Sequence, residues 1–165
     1  MRNSDFSGNN FFLSNFYFSN INIDNYNFNS VEQYFQWKKC INDIDREKII
    51  KAKTPSEAKK IGRKVKIRND WEYVKENVMY NGVKAKFTQN EELAKLLLAT
   101  EDKELAEGND WGDLFWGVDY FTREGQNKLG KILCKVRTEL KTKWIIKFNI
   151  YLFINDFFYS ISKIL

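Results

Sequence analysis

At 165 residues and 19.7 kDa, the chain has the size of one domain, long enough to bury roughly two-thirds of the surface its unfolded form would expose. It carries 27 Lys and Arg against 22 Asp and Glu, a formal charge of +5, with no His, two Cys and one Pro. The missing imidazole excludes Ser-His-Asp and Cys-His catalysis, His-ligated metals and a histidine pH switch within this sequence. Chemistry must come from carboxylates, amines, hydroxyls, amides or aromatics, and neither a metal nor a cofactor is expected. Cys40 and Cys134 stand far apart with no CxxC, which suits buried thiols in a reducing cytosol. The polar stretch from Met1 to Asn10 lacks the apolar core of a secretory leader, so a cytoplasmic location is expected. Positive charge is mostly Lys interspersed with acids and is densest from Lys48 to Arg68, which permits an anionic partner but argues only weakly for nucleic acid.

In chain order, strand signals come first. Phe11-Phe12-Leu13 and Phe16-Tyr17-Phe18 are short aromatic runs separated by Ser14-Asn15. Ser30 with Gln33 forms a capping box ahead of Val31, Tyr34 and Phe35, which predicts a helix to about Cys40. Thr54-Pro55-Ser56-Glu57 is a second helix start, with Thr54 as N-cap, Pro55 at the first helical position and Ala58, Ile61 and Val65 as the buried stripe. Asp70 is the expected cap of a helix that begins at Trp71 and carries Val74, Val78 and Met79 toward Phe87. Asn90 starts a shorter helix through Leu93, Leu96 and Leu97, a further strand signal lies around Leu105 and Ala106, and Asn127 starts a last helix through Ile132, Leu133, Val136 and Leu140. The expected fold class is α+β, predominantly helical, with a small β element. With no P-loop, no GxGxxG, no long βαβ alternation and no internal repeat, a doubly wound nucleotide-binding sheet is not expected.

From Trp144 to Leu165 the chain is long enough to cross a bilayer. Lys147, Asn149, Asn155, Asp156 and Lys163 interrupt it, and an Asp near the middle of a spanning helix costs about 2.5–3.5 kcal/mol. An added helix or strand on the domain, or a poorly structured appendage, is expected in preference to a membrane anchor.

Three features could carry chemistry. Glu32 and Gln36, four apart near a helix N-terminus, share one face; a carboxylate there can accept a proton from water or face a developing cation, or it can merely complement the helix dipole. The run from Glu107 to Asp119 packs two Trp, three Asp and three Gly into a stretch that reads as neither helix nor ordinary strand. Its indoles offer stacking faces and its carboxylates an acid, a base or ribose ligands, unless it is a Trp-anchored structural loop. The third feature is basic: Lys51, Lys53, Arg63, Arg68, Lys84 and Lys86, among which Arg63 beside Gly62 is the preferred phosphate contact.

These residues fall into a recognisable series. Phe6-Ser7-Gly8, FFLSNFY from Phe11, SVEQYFQ from Ser30, AKTPSEAKKIGR from Ala52, DWEYVKENVM from Asp70, KFTQNEELAKLLLAT from Lys86, LAEGNDWGDLFWGVD from Leu105 and NKLGKILCKVRTEL from Asn127 resemble, in order, the NADAR or YbiA-like domain family. The resemblance implies one compact domain over about residues 5–143, with 144–165 an extension of unassigned role. It implies an N-glycosidase that hydrolyses the bond between a phosphoribosyl group and an amino-pyrimidine, as in removal of riboflavin biosynthesis intermediates. Removal of ADP-ribose from modified guanine in nucleic acid, and binding of an ADP-ribose or NAD derivative without hydrolysis, are the alternatives it carries.

The resemblance places the catalytic glutamate at Glu32, a site tryptophan at Trp71 and a second acid at Asp113, with Asp110 and Asp119 as alternatives for the last. The expected substrate-binding residues are Asn15, Phe16, Gln36, Arg63, Lys86, Trp116 and Asp119. In this reading Glu32 activates water or faces the ribosyl C1′, Asp113 assists the leaving group or holds the ribose hydroxyls, and Trp71 or Trp116 stacks on the base.

Overall fold

The structure, a computed structural model, describes residues 6–162. A two-residue turn makes the first strand pair: Asp24 and Asn25 both take positive φ, 55° and 65°, as a tight hairpin requires. They join β1 (Ile21–Ile23) to β2 (Tyr26–Phe28), paired antiparallel with Ile21 opposite Phe28. Upstream, Gly8–Leu13 forms a 3₁₀ helix instead of the expected strand, and Phe16-Tyr17-Phe18 lies in a turn and the chain leading out of it. In this turn the consecutive Phe12 and Leu13 are both buried, whereas a strand with one face to solvent would turn one of them outward.

α1 (Val31–Lys39) is the central element, with Val31 through Trp37 all buried. Ser30 Oγ accepts from Gln33 N–H at 3.1 Å, as the capping box predicts. The return bond is displaced by one residue, since Gln33 Oε1 accepts from Asn29 N–H at 2.7 Å. Gln33 Nε2 also donates to the carbonyls of Ile49, Ile50 and Ala52, tying down the end of α2 (Asp43–Ile50). That helix has no apolar stripe in the sequence, and only Ile49 of it is buried, so periodicity does not reveal it. Its sign is Asn42, whose side chain accepts from Asp45 N–H at 2.8 Å.

α3 (Pro55–Gly62) starts as expected, with Thr54 Oγ1 accepting from Glu57 N–H at 3.1 Å. α4 (Trp71–Gln89) crosses α1 closely at Gly82, where a β-carbon would stand 2.9 Å from Val31 and 3.0 Å from Tyr34. Asp70 occupies its cap position, but its carboxylate is turned to Arg68 at 2.5 and 2.8 Å and caps no helix N–H. α5 (Glu91–Leu98) follows at once. Leu105 and Ala106 are buried without forming a strand; pairing begins two residues later, where β3 (Gly108–Asn109) lies parallel to β4 (Val118–Asp119).

α6 (Lys128–Ser162) is one continuous helix. The domain boundary expected between Lys143 and Trp144 lies inside it, and the helix passes across without a break. Beyond Leu140, Trp144, Ile145, Ile146, Ile150, Tyr151 and Ile154 are exposed, yet among the described residues no helix is long and apolar enough to cross a membrane. Residues 1–5 and 163–165, which enter the readings of the leader and tail, lie outside the described residues. The core is a single cluster drawn from α1, α4, α5, the hairpin and the first part of α6. The result is a compact, predominantly helical α+β domain.

Candidate active site

A cavity of about 760 Å³ opens where α1, α3, the Phe6–Phe16 segment and the β3–β4 loop meet, a size suited to a nucleotide-scale ligand. Glu32 lies within its lining and is only 3% exposed. The clasp on this carboxylate comes from both directions. Asn15 Nδ2 donates to Oε2 at 2.6 Å, and Gln36 Nε2, one helical turn on, donates to Oε1 at 2.8 Å. Glu32 N–H in turn donates to the Asn15 carbonyl at 2.9 Å. Burial pushes the Glu32 carboxyl above the usual range, while Gln36, Lys59 and Asn15 pull it back.

The Asn15 turn is held from behind by Lys86. This lysine is 1% exposed and lies outside the cavity lining, with Nζ donating to the Ser14 carbonyl at 2.8 Å. Burial lowers its pKa to about 7. It is therefore an anchor for residues 14–15, and no cavity-facing phosphate contact forms there. Arg63 also stands outside the lining, exposed at the C-cap of α3. The cation the fold does bring to the cavity is Lys59, which the sequence reading did not select; its Nζ sits 5.1 Å from the Phe16 ring centroid. Its signal was faint: it lies one turn before Arg63 within the AKKIGR run.

Among the expected aromatic faces, Trp116 lines the cavity and Trp71 does not. Trp71 is buried against Phe35, ring centroids 4.7 Å apart, and Phe35 in turn meets Trp116 edge-on at 5.5 Å. Trp71 thus supports the wall that Phe35 and Trp116 present. Asn15, Phe16 and Gln36 line the cavity as expected.

The β3–β4 loop is organised by Asn109. Its Oδ1 accepts from Asp113 N–H at 2.9 Å, and its Nδ2 donates to the carbonyls of Asp113 at 2.9 Å and Val118 at 3.1 Å. Asp113 lines the cavity, but its Oδ1 accepts from the N–H groups of Phe115 and Trp116 at 3.1 and 2.9 Å, so it also caps the turn that places Trp116. Asp119 serves the next turn in the same way, accepting from Phe121 and Thr122, and lies outside the lining. Asp110 and Glu107 both line the cavity. Trp111 and Phe121, 68% and 80% exposed, stand within the lining as open aromatic surfaces.

The site thus sets a buried, amide-clasped carboxylate in an aromatic-walled cavity of a largely helical domain. The NADAR domain family model matches residues 4–141, and the chain belongs to this family. It is 40% identical over 111 residues to the N-glycosidase YbiA of Escherichia coli, covering 66% of this chain and 68% of that one. A riboflavin biosynthesis protein of Vibrio vulnificus is 40% identical over 114 residues, which make up 68% of this chain and 30% of that one. The solution structure of E. coli YbiA superposes with a TM-score of 0.77 at 34% identity, covering 88% of this chain and 89% of that one.

Proposed function

We propose that this chain hydrolyses an N-ribosyl bond, with a phosphoribosylamino-pyrimidine as the substrate class. The observation that carries the reading is Glu32: a carboxyl buried in a cavity and held by two amide donors is a base oriented before substrate arrives. The name N-glycosidase, carried by relatives at 40% identity, supports the same class of bond. Cleavage builds positive charge on the ribosyl C1′, which Glu32 stabilises while it takes a proton from the attacking water. The Trp116 face stacks on the base, and Lys59 meets the phosphate. These steps use only side chains and water. The test is direct: the purified protein is incubated with a phosphoribosylamino-pyrimidine, and free base and ribose phosphate are followed by mass spectrometry. Release of both supports the reading, and unchanged substrate refutes it.

A second reading, removal of ADP-ribose from guanine in nucleic acid, draws on Trp111 and Phe121, whose exposed rings would stack on a substrate larger than one nucleotide. Parallel assays with an ADP-ribosylated oligonucleotide discriminate the two, since only the polymer substrate should lose turnover steeply as salt rises.

A further inference from the structure

Besides Glu32, the carboxyls of Glu107, Asp110 and Asp113 line the cavity; Asp110 is exposed, Asp113 caps a turn, and Glu107 is partly buried with no structural task for its side chain. Glu107 lines the cavity, and its backbone is fixed from both sides. Its N–H donates to Asn127 Oδ1 at 3.3 Å, and its carbonyl accepts from Val118 N–H at 2.8 Å. Gly117 packs so close that a β-carbon there would collide with that same carbonyl oxygen. The side chain is different: among the described residues no group hydrogen-bonds its carboxyl. Asp113, by contrast, already spends one oxygen on the turn N–H groups of Phe115 and Trp116.

We infer that Glu107 is the general acid of the reaction, giving its proton to the departing nitrogen while Glu32 acts as base toward water. This rests on the N-ribosyl hydrolysis reading above. Burial raises both carboxyls, and what separates them is their hydrogen-bond partners. Glu32 receives N–H bonds from Asn15 and Gln36, which favour its anion. Glu107 receives none. Burial, with Asp113 and Glu32 as negative neighbours and Lys59 opposing them, pushes it up to about 7. A carboxyl that receives two N–H bonds is held as the acceptor a base must be, and one that receives none is free to turn its proton toward a leaving group.

The proton and electron accounting closes. The C1′–N bond breaks with its electron pair passing to nitrogen, which takes the Glu107 proton. Water oxygen forms the new C1′–O bond and gives one proton to Glu32. The products are ribose phosphate and the free amine, and the proton on Glu32 returns through solvent to Glu107.

The test compares wild type, Glu107→Gln and Glu107→Asp, each first shown by thermal melting to be folded, over pH 5 to 9 on the phosphoribosylamino-pyrimidine substrate. Because Glu107 must be protonated, wild-type kcat falls as pH rises past about 7. Glu107→Gln is expected to lower kcat by about 10²–10⁴-fold with KM little changed and to abolish the alkaline fall. Glu107→Asp is expected to keep that fall and part of the rate, and it remains decisive if the Gln variant does not fold. A Gln variant with wild-type kcat, or one that keeps the alkaline fall, overturns the assignment while leaving hydrolysis intact. A wild-type protein that releases no base overturns the underlying reading, and this inference with it.

Discussion

Asn15 and Glu32 are bonded to each other twice, side chain to side chain at 2.6 Å and Glu32 N–H to the Asn15 carbonyl at 2.9 Å, across 17 residues of sequence. The first bond orients a carboxylate; the second fixes the N-terminus of α1 against the Ser14–Asn15 turn. Together they couple the aromatic N-terminal segment to the central helix at the point where the cavity begins.

Removal of the carboxylate alone should separate chemistry from folding. Glu32→Gln keeps the shape and loses the base, so base release should drop by about 10²–10⁴-fold. Its melting temperature should stay at or above that of wild type, because a buried ionisable group is replaced by a neutral one. Parallel turnover and thermal-melt measurements check both parts.

Asn15→Ala tests the clasp. The Asn15 bond holds the Glu32 carboxyl lower than burial alone would set it, so the variant should raise that pKa further. A base must be deprotonated to act, and the acidic limb of the kcat profile should therefore move to higher pH. A profile that keeps its acidic limb in place would show that Asn15 does not tune this group.

Lys86 makes a prediction about stability. Its folded pKa of about 7 lies below its ordinary 10.5, so between those values the unfolded chain holds the extra proton. Stability from this group therefore rises with pH from about 7 to about 10.5. Lys86→Met removes that dependence but leaves the Ser14 carbonyl unpaired. Its melting temperature relative to wild type should be highest near pH 7 and decline toward pH 10, and turnover should fall because the Asn15 turn loses its anchor.

Two glycines contact α1 with different consequences. At Gly82 an added methyl meets Val31 and Tyr34, both locked in the core, so Gly82→Ala should destabilise by about 1–3 kcal/mol. At Gly62 the added methyl meets the Gln36 side-chain amide, which can move. Gly62→Ala should therefore cost less stability and more activity, since Gln36 is displaced from Glu32. Denaturant unfolding and kcat measured on the same preparations distinguish the two patterns.

Much of the helical frame was legible in the sequence because its signals are local. Ser30 with Gln33, and Thr54 with Pro55 and Glu57, act over three residues and did start α1 and α3. The apolar stripe of α6 as far as Leu140 packs as its periodicity requires, and in α5 Leu93 and Leu97 do so while Leu96 is left exposed. The Phe11–Leu13 run misled because aromatic content suggests a strand, whereas the segment folds as a 3₁₀ helix that buries Phe12 and Leu13 together. α2 was hidden because so little of it is buried.

Glu32 was readable as a candidate for a similar reason: one helical turn relates it to Gln36, and that geometry needs no tertiary information. Which other groups share its cavity was decided by packing. Lys86 meets Ser14 over 72 residues of sequence and is drawn inside; Arg63 falls on the outer end of α3 while Lys59, one turn earlier, falls inside. Asp113 and Glu107 are both acids in one Gly-rich loop, and composition treats them alike. Only the folded loop, by giving Asp113 two backbone N–H groups and leaving the Glu107 carboxyl without a donor, makes one a turn cap and the other a free acid.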